Sequence, residues 1–289
     1  MKIVVTGSLG HVGKPLTQEL VQKGHSVTVI STNAGKQKEI AALGATAAIG
    51  SVTDPDFLTA TFAGADAVFT MNPPDYTVPD PVAHYGTVGG NYARAIQQAG
   101  VPRVVHLSSY GAQLEKGTGI IVGSHLVENI LNELAGVAVT HLRAGYFYYN
   151  IDRFAGMIKH RGFIASNYGG NDTLLLVAPV DIAAAAAEEL TITATGKAIR
   201  YVVSDERTAS EVARVIGAAI GKPDLQWLLV TDEQVRQGME ANGMPAVMAA
   251  NLVELGASIH SGVLYSNDRP ASFGKVKLED FVKEFAATY

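Results

Sequence analysis

Short apolar runs rich in valine and isoleucine alternate with longer segments of helical periodicity along the first half of the chain. The runs have the length and β-branched composition of buried strands, and the longer segments repeat their apolar positions at helical spacing. Strands are predicted at 2–6, 26–30, 45–49, 67–70, 103–107 and 138–142, and helices at 12–23, 35–43, 55–62, 82–99 and 120–135. This alternation predicts an α/β fold built on a doubly wound parallel sheet.

The second half of the chain has a looser pattern. Helices are predicted at 150–160, 181–190, 208–220, 232–241, 245–259 and 278–287, and short strands at 174–177, 198–203 and 226–230. We therefore expect a Rossmann-like domain at 1–150 and a smaller, mixed substrate-side lobe at 151–289, with residues 181–203 returning in part to the main sheet. The lobe is expected over the carboxyl ends of the strands, where open α/β sheets bind ligands.

Three glycines stand at three-residue spacing directly after the first predicted strand: Gly7, Gly10 and Gly13. Glycine at these places permits a sharp turn off the strand, close approach of a pyrophosphate, and close packing of the helix against the strand. The N–H groups at the helix start also favour phosphate oxygens. The turn, with Leu9, His11 and Val12 between the glycines, is therefore predicted to bind a dinucleotide; the alternative is a glycine-rich turn that binds nothing.

The end of the second predicted strand bears on which dinucleotide is bound. An acidic residue at this place binds the 2′-hydroxyl of NAD, whereas neutral or basic residues leave room for a 2′-phosphate. The segment has no carboxylate and offers four polar side chains: Ser31, Thr32, Asn33 and Lys36. NADP(H) is therefore favoured, and NAD(H) stays open because no arginine is present to grip a phosphate. The alternative for residues 31–33 is a cap for the next helix.

Further cofactor contacts are expected at the ends of the following strands. Ser51 and Val52 follow the third strand and are predicted to touch the adenine. Asn72 and Pro73 follow the fourth strand, where rigid prolines can shape a wall beside the cofactor. The alternative there is a plain turn before the next helix, and the loop at 72–81, which includes Tyr76, is expected to form a rim near the substrate.

Composition narrows the function. The formal net charge of −5 and the lack of a basic run argue against a nucleic-acid partner. No apolar stretch has transmembrane length, so a cytoplasmic protein with no membrane contact is expected. The absence of cysteine excludes disulfides, thiolate nucleophiles and cysteine-based metal sites. No metal-ligand spacing and no G-x-S-x-G turn occurs, so neither a metal centre nor an α/β-type hydrolase is expected.

Several segments carry a family resemblance beside the glycine turn. They are 105–112 (VHLSSYGA), 125–131 (HLVENIL), 139–150 (VTHLRAGYFYYN) and the closing helix at 278–282 (LEDFV). Together with G-x-x-G-x-x-G they resemble the NmrA-like subgroup of atypical short-chain dehydrogenases/reductases over nearly the whole chain. The resemblance implies either an NADPH-dependent quinone or azo-dye reductase, or a regulator that senses nitrogen metabolites or redox state.

The resemblance also implies a nicotinamide pocket around the loop that follows Arg143. Ser108 at the end of the fifth strand, and Gly145 and Phe147 after Arg143, are expected to contact the cofactor. Mainstream short-chain dehydrogenases use a Tyr-x-x-x-Lys pair, in which the lysine lowers the pKa of the tyrosine for proton transfer. The helix predicted at 120–135 contains no lysine, and Ala144 stands where the family often has proline. A nucleotide-sugar epimerase is therefore not expected.

Without that pair, three residues are candidates for the catalytic proton donor: Tyr110, His125 and Tyr146. An unperturbed histidine titrates near neutral pH, which suits proton transfer. Tyr146 begins an aromatic run that would suit a flat substrate ring. The alternatives are that His125 is a polar helix residue, that Tyr110 is a packing residue, and that the aromatic run fills the core.

Two functions from different classes stay open. The first is hydride transfer from NADPH to a quinone or another small electron-poor acceptor, which requires an acceptor pocket beside the nicotinamide. The second is a non-enzymatic redox sensor that binds the dinucleotide and a protein partner without turnover. A lesser third alternative is a dinucleotide-binding fold whose site has lost its function. A homodimer also stays possible, because helix faces of this fold are exposed.

Overall fold

The computed structural model describes residues 1–73, 75, 77–266 and 269–289. Its strands are β1 Lys2–Val5, β2 Ser26–Ser31, β3 Thr46–Ile49, β4 Ala67–Met71, β5 Arg103–Ser109, β6 Ala138–Ala144, β7 Tyr146–Phe147, β8 Ile164–Ser166, β9 Thr173–Val177, β10 Lys197–Val202, β11 Asp205–Thr208 and β12 Trp227–Leu229. Its α-helices are α1 Gly13–Gln22, α2 Gln37–Ala42, α3 Pro55–Phe62, α4 Pro81–Ala99, α5 Ile121–Asn132, α6 Ala155–Arg161, α7 Pro179–Thr191, α8 Ala209–Ala219, α9 Asp232–Ala241, α10 Ala246–His260 and α11 Leu278–Thr288. Short 3-10 helices cover Ala34–Lys36, Tyr148–Phe154 and Val263–Tyr265. Within the described ranges, no helix combines the length and apolarity that a bilayer crossing requires.

Seven parallel strands form the main sheet in the order β10-β6-β5-β4-β1-β2-β3. The chain starts at β1, steps outward through β2 and β3, and then crosses back to β4 on the other side of β1. This reversal makes β1 and β4 a topological switch point, which leaves a crevice at the carboxyl ends of the strands. The predicted doubly wound α/β fold is confirmed.

The central strands are buried on both faces, which explains their nearly continuous apolar sequence. Every residue of β6 is buried, and β4 is buried except for its last residue. Side chains of α1 and α7 share one core cluster with the sheet, and side chains of α3, α4 and α5 share another. Burial of these apolar side chains is the main favourable term that holds the helix layers onto the sheet.

The C-terminal half contributes two smaller sheets and one strand of the main sheet. β11, β9 and β7 form a mixed three-stranded sheet, and β12 pairs in parallel with β8. β10 pairs with β6 and so extends the main sheet from the C-terminal half. The smaller mixed lobe that the pattern predicted is present, whereas the division of the chain at residue 150 stays a prediction.

Three strands were not predicted from the sequence, namely β7, β8 and β11. β7 has two residues and β8 has three, which is too short for an alternation to be recognised. β11 reads Asp-Glu-Arg-Thr and carries no apolar face. The helix predicted at 150–160 begins instead as a 3-10 segment and continues as α6.

Candidate functional site

A cleft of about 650 Å³ opens at the carboxyl ends of β1, β4, β5 and β6. Its walls come from the glycine turn, the loop after β4, the start of α5, the segment after β6, and α10. The predicted site residues that line it are Gly7, Gly10, His11, Val12, Gly13, Asn72, Ser108 and Phe147. This is the place in an open α/β sheet where ligands bind.

The glycine turn has the shape of a phosphate cradle. Gly7 has a φ of +88°, in the left-handed region that favours glycine. A Cβ atom on Gly13 would overlap the carbonyl oxygen of Ser8, so the turn and the start of α1 are in direct contact. Among the residues that the structure describes, no side chain caps α1, whereas aspartates cap α3 and α4. The N–H groups at the start of α1 can therefore bind an anion, and the pyrophosphate of a dinucleotide fits this turn.

Asn72, directly after β4, lines the cleft and carries a buried acceptor atom. Its Nδ2 donates to the backbone carbonyl of Tyr85 at 3.1 Å, and its buried Oδ1 has no partner among the described residues. A buried acceptor without a donor costs about 1–3 kcal/mol, so a ligand N–H or O–H is favoured at this point. Pro73 is exposed and lies outside the cleft lining, and Tyr76 of the predicted rim lies outside the described residues.

The side chains predicted to select the cofactor lie beyond the cleft, at the end of β2. Ser31 is buried, and its Oγ accepts a hydrogen bond from Ser8 Oγ at 2.9 Å, which ties the glycine turn to β2. Thr32 is exposed. Asn33 Oδ1 accepts from the backbone N–H of Gly35 at 2.8 Å, so Asn33 also caps the following 3-10 helix. A capping role and a phosphate role are thus compatible at this turn.

Two lysines meet one carboxylate beside the same strand end. Lys36 Nζ lies 2.8 Å from Glu39 Oε2, and Lys14 Nζ lies 3.3 Å from Glu39 Oε1. The hydrogen bonds from Lys36 and then from Lys14 lower the pKa of Glu39. The group therefore carries a net positive charge. Lys14 was missed in the sequence because it lies on α1, away from the segment that follows β2.

Four other predicted cofactor contacts do not line the cleft. Leu9 packs against the core cluster that contains α1, and Ser51 Oγ hydrogen-bonds Thr53 Oγ1 at 2.7 Å. Val52 is half-buried beside the cluster that contains α3 and α4. A Cβ atom on Gly145 would overlap the carbonyl oxygen of Leu175, so the glycine at this position is required by packing.

A stack of three rings forms one wall of the cleft. Tyr149 lies between His11, at a centroid distance of 4.4 Å, and Phe147, at 5.1 Å, with interplanar angles of 18° and 10°. The stack joins the glycine turn to the segment that follows β6. Aromatic faces of this kind bind flat conjugated rings by stacking.

The helix that would carry a Tyr-x-x-x-Lys pair presents other residues to the cleft. The lining residues at the start of α5 are Ile120, Ile121 and Ser124. His125 lies instead on a separate cavity of about 290 Å³. Its Nδ1 is 2.9 Å from the carbonyl oxygen of Ala112, and its Nε2 is 2.9 Å from Asn129 Nδ2. The structure therefore does not bring His125 to the cleft, because it points away from the face that Ser124 occupies.

The two candidate catalytic tyrosines are also absent from the cleft lining. Tyr110 is 2% exposed and packs against the rings of Tyr201 and Tyr265. Tyr146 is 9% exposed, and its Oη lies 3.0 Å from Tyr168 Oη. Tyr110 is enclosed in a buried cluster with Leu175 and Val203. Tyr146 Oη also accepts a hydrogen bond at 3.0 Å from Nη2 of Arg153, which lines the cleft, so this hydroxyl lies one hydrogen bond from the cleft wall. A role of either tyrosine in proton transfer stays a prediction.

A buried ion pair accounts for two residues of the 125–150 motifs. Glu128 accepts hydrogen bonds from Arg143 Nη2 at 2.6 Å, Arg143 Nε at 3.0 Å and Ser108 Oγ at 2.5 Å. Both charged side chains are about 5% exposed. Burial alone would lower the pKa of Arg143, but its hydrogen bonds to Glu128 raise it above the ordinary value. The network fixes the end of β5 against α5 and β6, and so positions Ser108 at the cleft.

His106, on β5, also lines the cleft. Its Nδ1 lies 2.9 Å from Thr70 Oγ1, and its ring meets the edge of His141 on the next strand. Burial and the neighbouring His141 lower the pKa of His106 to about 3. The ring is therefore neutral at physiological pH and can hydrogen-bond a ligand without carrying charge.

The far wall of the cleft comes from residues that the sequence did not single out. An apolar slot is formed by Met244, before α10, and by Met248, Leu252 and Leu255 on one face of α10. Arg153, at the end of the second 3-10 helix, lines the same cleft. The spacing of the α10 residues signals a packed helix face, but it does not say what that face covers.

The NmrA-like family model matches residues 1–255. The chain belongs to the NmrA-like family. The NAD(P)H azoreductase of Xenophilus azovorans is 28% identical to this NmrA-like chain over 293 residues, which cover 99% of each protein.

Two solved structures show the same fold. The triphenylmethane reductase of Citrobacter sp. superposes with a TM-score of 0.84 at 20% identity, and the match covers 99% of this NmrA-like chain and 100% of that one. The NADPH-dependent quinone oxidoreductase of Escherichia coli, solved with NADPH, superposes with a TM-score of 0.77 at 19% identity over 98% and 99% of the two chains.

Proposed function

We propose that this chain is an NADPH-dependent reductase of a quinone, an azo compound or another small electron-poor acceptor. The observation that carries the proposal is a single cleft in which the glycine turn adjoins the apolar slot. The azoreductase, triphenylmethane reductase and quinone oxidoreductase relatives support the same chemistry. A redox sensor needs the glycine turn but not a second, apolar compartment.

The chain's own residues would bind and orient the two reactants. The backbone N–H groups at Gly13 and its neighbours would hold the pyrophosphate, and Asn72 Oδ1 would accept a hydrogen bond from the cofactor. The bound dinucleotide supplies the hydride. The ring stack of His11, Tyr149 and Phe147 would offer a flat surface to a conjugated ring.

Proton delivery in this proposal needs no Tyr–Lys pair. Ser124 lines the cleft and can donate a hydrogen bond to an acceptor oxygen or nitrogen. Ser108 already donates to Glu128, so its hydroxyl can only accept from a ligand. The reduced acceptor takes its protons from solvent in the open cleft, which quinones and azo compounds permit because hydride transfer gives a basic oxygen or nitrogen.

The preference for NADPH would rest on the positive group at the end of β2. Lys36 and Lys14 are half-exposed and share the Glu39 carboxylate. Lys36 belongs to the segment that follows β2, where this fold binds the adenosine ribose. Both lysines can bind a 2′-phosphate, either in place of the Glu39 carboxylate or together with it.

Alanine at Lys36 and Lys14 together tests this preference. We expect the Kd for NADPH to rise about 10-fold or more, because charge-assisted hydrogen bonds are lost, while the Kd for NADH stays unchanged. Lys38→Ala, a neighbouring exposed lysine outside this group, is the matched control. An equal loss for both nucleotides, or a wild-type preference for NADH, would refute the proposed phosphate site.

Steady-state NADPH consumption with menadione and methyl orange tests the reductase itself. Many turnovers per protein molecule are expected. Tight NADPH binding without consumption of either acceptor would overturn the enzyme and favour the sensor.

A further inference from the structure

Arg153 lies in the cleft with its guanidinium held in one orientation. Its Nε donates to the carbonyl oxygen of Asn150 at 2.8 Å, and its Nη2 donates to Tyr146 Oη at 3.0 Å. The guanidinium also lies 5.8 Å from the centroid of the Tyr146 ring and 5.5 Å from that of Phe154. Arginine keeps its charge at every physiological pH and presents a planar fork that matches a carboxylate or sulfonate.

The support for this arginine comes from the C-terminal lobe. Tyr146 Oη is also bonded to Tyr168 Oη, and the ring of Phe154 packs edge-on against Trp227. These side chains belong to one buried apolar cluster. Because the rings that hold Arg153 are themselves packed, the Arg153 side chain loses little conformational entropy when an anion binds.

The surroundings of Arg153 are suited to an amphipathic ligand. The apolar slot of Met244 and the α10 face offers four flexible or branched side chains to an aromatic body, and methionines adapt to ligand shape. Arg153 and Asp75 carry the permanent charges of the described lining. The Asp75 carboxylate already accepts from the backbone N–H and Oγ1 of Thr77, at 2.9 and 2.6 Å.

We propose that Arg153 binds an anionic substituent of the acceptor, so that the preferred substrates are planar aromatic acceptors carrying a carboxylate or sulfonate. The inference rests on the proposed reductase function. The cofactor pyrophosphate is a second source of the same oxyanion chemistry, but the glycine turn and the uncapped α1 already provide donors for it. The two sources are separated by the test.

The test compares methyl orange with its uncharged parent dye, which lacks the sulfonate. For Arg153→Gln we expect the KM for methyl orange to rise about 10–100-fold with kcat little changed, because a charged hydrogen-bonded contact is lost. The KM for the uncharged dye and the Kd for NADPH stay within about twofold of wild type. Arg161→Gln removes an equal charge from the exposed end of α6 and is the matched control.

Three results would overturn the proposal. An equal rise in KM for both dyes in Arg153→Gln would mean that Arg153 supports the fold. A rise in the Kd for NADPH as large as the rise in KM for methyl orange would mean that Arg153 binds the pyrophosphate. Faster reduction of a cationic dye by wild type would instead favour Asp75. Arg153→Lys serves if the glutamine variant does not fold; it keeps the charge but loses the fork, and an intermediate KM is expected.

Binding separates failure of this inference from failure of the reductase proposal. Equilibrium dialysis of methyl orange against the complex with NADP⁺ needs no turnover. If wild type binds the dye at least 10-fold more tightly than Arg153→Gln but never reduces it, the anion site stands and the reductase function falls. If the two proteins bind it equally, the anion site is wrong whatever the activity.

Discussion

Replacing Gly13 with alanine adds one methyl group at the contact between the glycine turn and α1. The new Cβ atom would overlap the carbonyl oxygen of Ser8 and would meet its carbonyl carbon at 3.3 Å. Real Cβ atoms keep at least 3.0 Å from such neighbours, and both obstacles are backbone rather than a flexible side chain. The turn and the helix must therefore move apart, by about 1 Å, to accommodate the methyl group.

The size of the effect follows from that displacement. Overpacking of this kind costs about 1–3 kcal/mol of stability, and a shift of about 1 Å at a binding turn can cost on the order of 100-fold in rate. We expect the free energy of unfolding of Gly13→Ala to fall within that range and its Kd for NADPH to rise about 10–100-fold. The intrinsic helix preference for alanine, about 1 kcal/mol, opposes the loss but does not cancel it.

Gly90→Ala is the matched control because it makes the same change on an exposed turn of α4. A Cβ atom there meets no described atom within 4 Å, so the variant should bind NADPH as wild type does and unfold no more easily. Urea unfolding and NADPH fluorescence titration measure the two quantities. Wild-type affinity for NADPH in Gly13→Ala would refute the argument that this close approach shapes the cofactor site.

Three further outcomes are expected from the structure. Glu128→Gln leaves Arg143 charged and buried without a charged partner, so the free energy of unfolding should fall by about 3–5 kcal/mol in urea titrations; lost turnover at unchanged stability would contradict this structural role. Tyr110→Phe and His125→Ala should change kcat by no more than about twofold, since neither residue lines the cleft. If either residue were the proton donor, its loss would lower kcat by about 10²–10⁴-fold in the same assay. Burial lowers the pKa of His106 to about 3, whereas a histidine in the unfolded chain has a pKa near 6.5, so the free energy of unfolding falls as the pH drops below about 6.5. Between pH 7 and pH 5 His106 accounts for a fall of about 2 kcal/mol. The fall in His106→Asn should be smaller by that amount, and an equal fall in wild type and variant would count against the reasoning.

The fold was predictable because its signals are local. Periodicity located the strands of the main sheet, and the glycines stood directly after the first of them. The residues that line the cleft depend on which way each side chain points. Tyr146 and Phe147 are neighbours on β7, and successive side chains on a strand face opposite sides. Since a two-residue strand shows no alternation, the sequence could not indicate that Phe147 faces the cleft while Tyr146 faces the core.

The same limitation explains His125 and the residues that were missed. Ser124 and His125 are adjacent on α5, and only the packing of that helix against β5 and β6 decides that Ser124 faces the cleft. Met248 and Arg153 reach the site from parts of the chain far from the glycine turn. Their contribution depends on tertiary packing, which no local pattern records.

We propose above all that the cleft beside the glycine turn binds NADPH and uses it to reduce an acceptor. The most direct test is a single-turnover experiment in which excess protein is first mixed with NADPH and then with menadione, while the fluorescence of bound NADPH is followed. We predict saturable binding of NADPH and its complete oxidation after the quinone is added, and Gly13→Ala slows both. Failure to bind NADPH or NADH, or bound NADPH that stays reduced after menadione is added, would contradict the account.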